Sequence, residues 1–193
     1  AVCITETIQY IISGSEDGTI RFWDQQTEEC LLILEGPESH EGPILSLAYQ
    51  AIPNAPEGVF WLVSSGQDTF INFWRIDLTM RVADKIQQMP FHQDAVKSVD
   101  FFIGNRKEGV EAVENREHLQ YHITVIAGSW DNNVSFWDDE FRYPKSVLDK
   151  HVSRVHCVKF SDDGQYFASG SSDDTVIVYR TDDPNHYQRR LKG

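Results

Sequence analysis

The chain has 193 residues, 40% of them apolar and 24% charged, with a net charge of −13 at neutral pH. That composition describes a globular domain of ordinary size, not a disordered chain. The negative balance disfavours a nucleic-acid backbone or an anionic membrane as the main partner, and no stretch reads as a membrane span or a signal peptide.

The first predicted strands lie near residues 9–13 and 27–34, around the stretch Ser13-Gly-Ser-Glu-Asp17-Gly-Thr-Ile-Arg-Phe-Trp23-Asp24. This stretch predicts a β-hairpin, because an Asp-Gly pair between alternating apolar residues favours a two-residue turn with positive φ. Next come strands at 44–49 and 59–64, separated by Pro53-Asn-Ala-Pro56-Glu-Gly58, whose prolines and glycine predict a loop. A strand over 95–103 then runs into a long insertion of mixed charge, 104–118, predicted to be a loop or one or two helical turns. The last unit is the least decorated, with Ser161-Asp-Asp-Gly-Gln165 as a tight turn between strands.

The opening stretch recurs three times. Each copy has an Asp six residues before an aromatic: Asp17/Trp23, Asp68/Trp74, Asp131/Trp137 and Asp173/Tyr179. Three copies follow a histidine, His40, His92 or His151. Aliphatic residues stand four and seven positions after each histidine, and an aromatic nine after, the pattern of a turn and a short buried strand. Four copies at a fixed internal spacing mark a repeat architecture.

On these motifs the chain resembles the WD-repeat β-propeller family. The Trp-Asp pair is literal at Trp23-Asp24 and Trp137-Asp138, and becomes Trp74-Arg75 and Tyr179-Arg180 elsewhere. The resemblance implies an all-β fold of four-stranded antiparallel blades. Four blades are expected here, over about 1–36, 37–89, 90–149 and 150–193, within a larger propeller of about seven blades. Ala1-Val-Cys-Ile4 is aligned with Val155-His-Cys-Val158, which places Cys3 and Cys157 at matching strand positions and the expected His just before Ala1. The missing lead-in there, and a clean repeat boundary at Gly193, predict a fragment of a longer chain. The three cysteines, Cys3, Cys30 and Cys157, are odd in number and lack metal-type spacing, so they read as small core residues in a reducing compartment.

His, Ser and Asp recur together as His40/Ser64/Asp68 and His151/Ser169/Asp173. A catalytic triad uses these residue types. A catalytic set would occur once, however, whereas a scaffold part recurs in every repeat. The resemblance implies that His, Ser, Asp and Trp form a buried network inside each blade: His40, Ser64, Asp68 and Trp74 in the second, and Ser13, Asp17 and Trp23 in the first. His92, Asp131 and Trp137 form it in the third, and His151, Ser169 and Asp173 in the fourth. Ala127 stands where the third serine is expected, so that network is expected to be incomplete and Asp131→Ala to cost less than Asp173→Ala. No metal or cofactor site is expected. His118 and His122 lack a carboxylate partner, and Asp162-Asp163-Gly164 lacks the downstream ligands of a calcium loop.

The resemblance further implies that partners, other proteins or peptides, dock on the face carrying the His and Asp turns. Residues before the turn Asp would point there: Glu16, Gln67, Trp130 and Ser172, joined by Asp94 and Arg154 after the histidines. Arg154 is expected either to bind a carboxylate or phosphate, or to pair with a nearby Asp. Function is thus expected to be that of an intracellular, non-catalytic scaffold or adaptor, cytoplasmic or nuclear. The alternative is a reader of charged or modified protein tails.

Overall fold

In the computed structural model, described over residues 1–5, 9–36, 39–105, 121–138 and 141–193, every regular element is a strand. The strands are β1 (Val2–Ile4), β2 (Tyr10–Gly14), β3 (Ile20–Asp24), β4 (Cys30–Leu34), β5 (Ile44–Ala51), β6 (Val59–Gly66), β7 (Phe70–Asp77) and β8 (Val82–Pro90). They continue as β9 (Val96–Asn105), β10 (Tyr121–Ser129), β11 (Val134–Trp137), β12 (Ser146–Leu148), β13 (Val155–Phe160), β14 (Tyr166–Ser171), β15 (Thr175–Arg180) and β16 (Tyr187–Lys192). Consecutive strands pair antiparallel in four sheets: β1–β4, β5–β8, β9–β12 and β13–β16. These are four blades. Most of the 104–118 insertion lies outside the described residues.

Three apolar cores hold the blades side by side. Ile12, Ile20 and Phe22 of the first blade meet Ile44, Leu62 and Trp74 of the second. Val63, Ile71 and Phe73 of the second meet Val99, Val125 and Trp137 of the third. Ile126, Val134 and Phe136 of the third meet Val155, Phe167 and Tyr179 of the fourth. Alternation along each strand makes this possible, since neighbouring residues point to opposite sheet faces. The repeated aromatic therefore faces the preceding blade, and the residue before it faces the following one.

One joint recurs at each seam. The aliphatic residue four after each histidine, Ile44, Val96 or Val155, is buried. It sits on a small residue of the blade before. A Cβ on Gly14 would lie 2.4 Å from Ile44, and one on Gly128 would lie 2.6 Å from Val155. In the second blade Ser65 takes this place and donates to the Val96 carbonyl at 3.0 Å. The innermost strands are also stitched by side chains. Val99 N–H donates to Ser46 Oγ (3.2 Å) and Val158 N–H to Ser98 Oγ (3.1 Å). Phe160 N–H donates to Asp100 (2.8 Å), a buried carboxylate that also holds Lys159 at 3.0 Å.

The fourth blade presents the same surface uncovered. Val176 and Leu191 are 42% and 53% exposed, whereas their counterparts Ile20 and Leu34 are 0% and 8% exposed. They flank Gly170 and Cys157 around an open hollow of about 530 Å³.

Two sequence expectations need correction. The Asp turns are not two-residue turns. Strands β2 and β3 pair Gly14 with Ile20, leaving a five-residue connection. Gly18 N–H donates to Ser15 O, and Ser15 N–H to Thr19 O. Only the residue after the Asp has positive φ: Gly18, Thr69, Asn132 and Asp174 at 82°, 72°, 74° and 60°. This is the longer hairpin connection in which a turn is followed by one left-handed residue. In the first blade that residue must be glycine, because a Cβ on Gly18 would lie 2.4 Å from the His40 carbonyl.

The alignment of the first repeat shifts by two residues. Val2 pairs with Ser13 as Val158 pairs with Ser169. Thr5 closes its turn onto Tyr10 with the bonds that Ser161 makes to Tyr166. Cys3 therefore matches Lys159, and Ala1 matches Cys157. The thiols differ accordingly: burial pushes Cys3 up to about 12, and Cys157 is exposed.

Candidate functional site

The end of the blades that carries the His and Asp turns holds the predicted site residues, and most are joined by hydrogen bonds. In the second blade Trp74 Nε1–H donates to Ser64 Oγ (2.9 Å), Ser64 Oγ contacts His40 Nε2 (2.8 Å), and His40 Nδ1 contacts Asp68 (2.9 Å). A single proton direction satisfies the chain: indole to hydroxyl, hydroxyl to imidazole, imidazole to carboxylate. Asp68 also accepts the Glu41 N–H, which ties the turn to the strand. The fourth blade repeats this with His151–Ser169 at 2.7 Å and His151–Asp173 at 2.9 Å. Tyr179 replaces the indole there, and burial pushes its hydroxyl up to about 12, opposed by Ser169.

The third blade has the complete network, contrary to the expectation drawn from Ala127. Ser135 on β11 accepts from Trp137 Nε1–H (2.8 Å) and contacts His92 Nε2 (2.8 Å), and His92 Nδ1 contacts Asp131 (2.8 Å). Ala127 and Ser135 are direct partners across the β10–β11 hairpin. The hydroxyl has moved to the facing strand and reaches the same point. The signal was present in the sequence, two residues before Trp137, but it breaks the fixed spacing on which the repeat was recognised. In the first blade Trp23 donates to Ser13 (2.9 Å), while Asp17 bonds Thr19 and Arg21 in place of a histidine.

Burial opposes ionisation of the three histidine-bound carboxylates. At Asp131 the hydrogen bonds of His92 and of the Gln93 and Asn133 N–H groups outweigh it and hold the carboxyl at about 2. Asp68 and Asp173 are likewise lowered. The Ser–His–Asp order is that of a hydrolytic triad. Ser64, Ser135 and Ser169 are buried at 1% exposure or less, so a substrate would have to open the blade to reach them. Among the described residues no cluster of His, Cys, Asp and Glu could hold a metal ion.

The surface residues are spread over all four blades, and Trp130 and Arg154 meet at the seam between the third and fourth. Gln67, Trp130 and Ser172 each donate their N–H to the residue three after the histidine, namely Pro43, Ala95 and Arg154. That bond fixes them on the turn face. Arg154 leaves its own blade and lies over the Trp130 ring of the third blade, 4.6 Å from the centroid. No ion pair among the described residues involves Arg154, so the predicted pairing with an Asp is replaced by a cation–π contact. Beside it Val152 is 82% exposed. Asp94 caps its own turn through the Ala95 N–H, Ser172 bonds His156, and Glu16 is solvent-exposed in the first blade, away from this seam.

Comparison with known proteins agrees with this architecture. The family profile "WD domain, G-beta repeat" matches residues 1–24, 84–138 and 142–180. "WD repeat-containing protein 1" of Bos taurus is 28% identical over 171 residues, covering 88% of this chain and 24% of that protein, and the Gallus gallus protein matches to the same extent. "Ribosome biogenesis protein WDR12 homolog" of Trichoplax adhaerens is 27% identical over 181 residues, covering 86% of this chain and 38% of that protein. The chain thus spans about a quarter of the length of the first of these relatives. Proteins of this kind generally serve as scaffolds in protein interactions. With four antiparallel four-stranded blades and the recurrent Asp–Trp spacing, the chain belongs to the WD40-repeat family of β-propeller proteins.

Proposed function

We propose that this protein is a non-catalytic scaffold or adaptor that holds other proteins within a larger assembly, inside the cell, in the cytoplasm or nucleus. Partners dock on the His and Asp turn face around the seam between the third and fourth blades. The observation that carries this reading is the Arg154–Trp130 stack. An aromatic ring and a planar cation are held ready at a surface next to exposed Val152, and residues of these types anchor interfaces. The buried Ser–His–Asp sets then serve as blade joints. Further blades, to a ring of about seven, would cover the apolar face at Val176 and Leu191.

The test is affinity capture with the wild-type chain and with Trp130→Ala and Arg154→Ala variants, the captured proteins being quantified for each. A defined set retained by wild type and lost from both variants, with unfolding midpoints near the wild-type value, is the expected result. Capture unchanged in both would refute the assignment of this seam.

A second reading, a reader of acidic or phosphorylated tails, is favoured by the Arg154 guanidinium itself. No ion pair among the described residues occupies its donors, and a guanidinium suits bidentate binding of a carboxylate or phosphate. A peptide array separates the two readings: capture of short acidic peptides of defined sequence favours the reader, and none captured favours the scaffold.

A further inference from the structure

At the opposite end of the blades, the loop inserted between β5 and β6 forms one wall of a cavity of about 400 Å³ between the first and second blades. Two successive turns shape that loop, with Ala55 N–H donating to Ile52 O and Val59 N–H to Pro56 O. Gly58 O accepts the Leu78 N–H and anchors the loop to the end of β7. Gly58 has a φ of +84°, and a Cβ there would lie 3.4 Å from the Tyr10 hydroxyl. The wall is therefore set against Tyr10 by backbone hydrogen bonds.

The lining combines apolar surface with one carboxylate, that of Glu57. Tyr10, Tyr49 and Phe60 contribute rings, and Ile52 and Pro56 contribute aliphatic surface. The Tyr49 and Phe60 rings stand at 79° with centroids 5.9 Å apart, forming a corner. Glu57 lines the same cavity and is exposed, and no ion pair among the described residues involves it. Asp24 is the cross-strand partner of Tyr10. Burial raises the Tyr10 hydroxyl, and the carboxylates of Glu57 and Asp24 raise it further, so the cavity feels both negative charges.

We infer that this cavity receives a lysine side chain presented by a partner protein. Its alkyl stem would lie on Ile52, Pro56 and the aromatic corner, and its ammonium group would meet Glu57 at the mouth. Aromatic faces attract cations electrostatically, and a carboxylate at the rim supplies the counter-charge. An apolar side chain of the same length would gain no attraction from Glu57, which stays hydrated, and an acidic one would be repelled. The site is separate from the Arg154 seam and of opposite charge preference, so the scaffold would hold two kinds of partner surface at its two ends.

The test is an NMR titration of the 193-residue chain with Nα-acetyl-lysine methylamide, beside its neutral counterpart Nα-acetyl-norleucine methylamide. Saturable shifts at the Tyr10, Gly58 and Val59 amides with the lysine probe, and clearly weaker binding of the norleucine probe, are expected. Glu57→Gln, at an exposed position, should weaken binding about threefold. Tyr49→Ala should weaken it about tenfold. Arg154→Ala should leave it unchanged, which keeps this result independent of the turn-face assignment. The proposal is overturned if these amides do not shift, if norleucine binds equally well, or if Glu57→Gln binds the lysine probe as tightly as wild type.

Discussion

Ala127 and Ser135 face each other across the β10–β11 hairpin, and the serine hydroxyl stands where the other blades bring one from the opposite strand. In the second and fourth blades the same cross-strand positions pair Ser64 with Asn72 and Ser169 with Ile177. Either strand can deliver the hydroxyl, because directly paired side chains on one sheet face lie close together. The third blade is therefore as fully joined as the fourth. Asp131→Ala and Asp173→Ala are expected to destabilise by similar amounts, about 1–3 kcal/mol each. Urea unfolding of the two variants measures this, and a clearly milder Asp131→Ala would contradict it.

Acid should loosen these joints. The folded carboxyls of Asp68, Asp131 and Asp173 are depressed, Asp131 to about 2. A depressed carboxyl contributes stability that is present above its unfolded value, near 4, and is lost as pH falls through the folded value. The thermal midpoint should therefore drop between about pH 5 and pH 2, and Asp131→Asn should shallow that drop. A midpoint unchanged across this window would contradict the assignment.

Thr69 adopts a φ of 72°, a region in which β-branched residues are strained, whereas the third blade has Asn132 at the equivalent position with a φ of 74°. Thr69→Asn should stabilise the protein by about 0.5–1 kcal/mol, since asparagine tolerates this conformation without the entropic cost of glycine. Thermal or urea unfolding checks the sign.

The two partners of one inter-blade ion pair should behave differently. Asp100 is buried and accepts both the Lys159 ammonium and the Phe160 N–H, whereas the Lys159 side chain is 78% exposed. Asp100→Ala leaves a buried N–H without its acceptor and should cost about 1–3 kcal/mol. Lys159→Ala should cost under about 1 kcal/mol, as exposed pairs do. Equal unfolding shifts for the two would contradict this division.

The blade architecture was legible because its signal is local: an Asp, a turn and an aromatic at constant spacing, reinforced by alternation along each strand. What escaped depends on pairing between strands or blades. Ser135 reaches the network by register, not by spacing. The two cysteines suggested an alignment for the first repeat that the turn bonds of Thr5 and Ser161 overrule. Equal separations of Val2 from Ser13 and of Val158 from Ser169 would have revealed the correct one. Arg154 stacks on Trp130 across a seam, a contact between residues of different blades that no single-repeat pattern encodes.

The claim that the recurring His, Ser and Asp residues are blade joints, leaving the surface to do the binding, is tested most directly by moving one hydroxyl. Ser135→Ala should lose about 1–3 kcal/mol of unfolding free energy, and adding Ala127→Ser should restore most of it by returning the hydroxyl to the strand that bears it in the second and fourth blades. A double variant no more stable than Ser135→Ala alone would contradict the account.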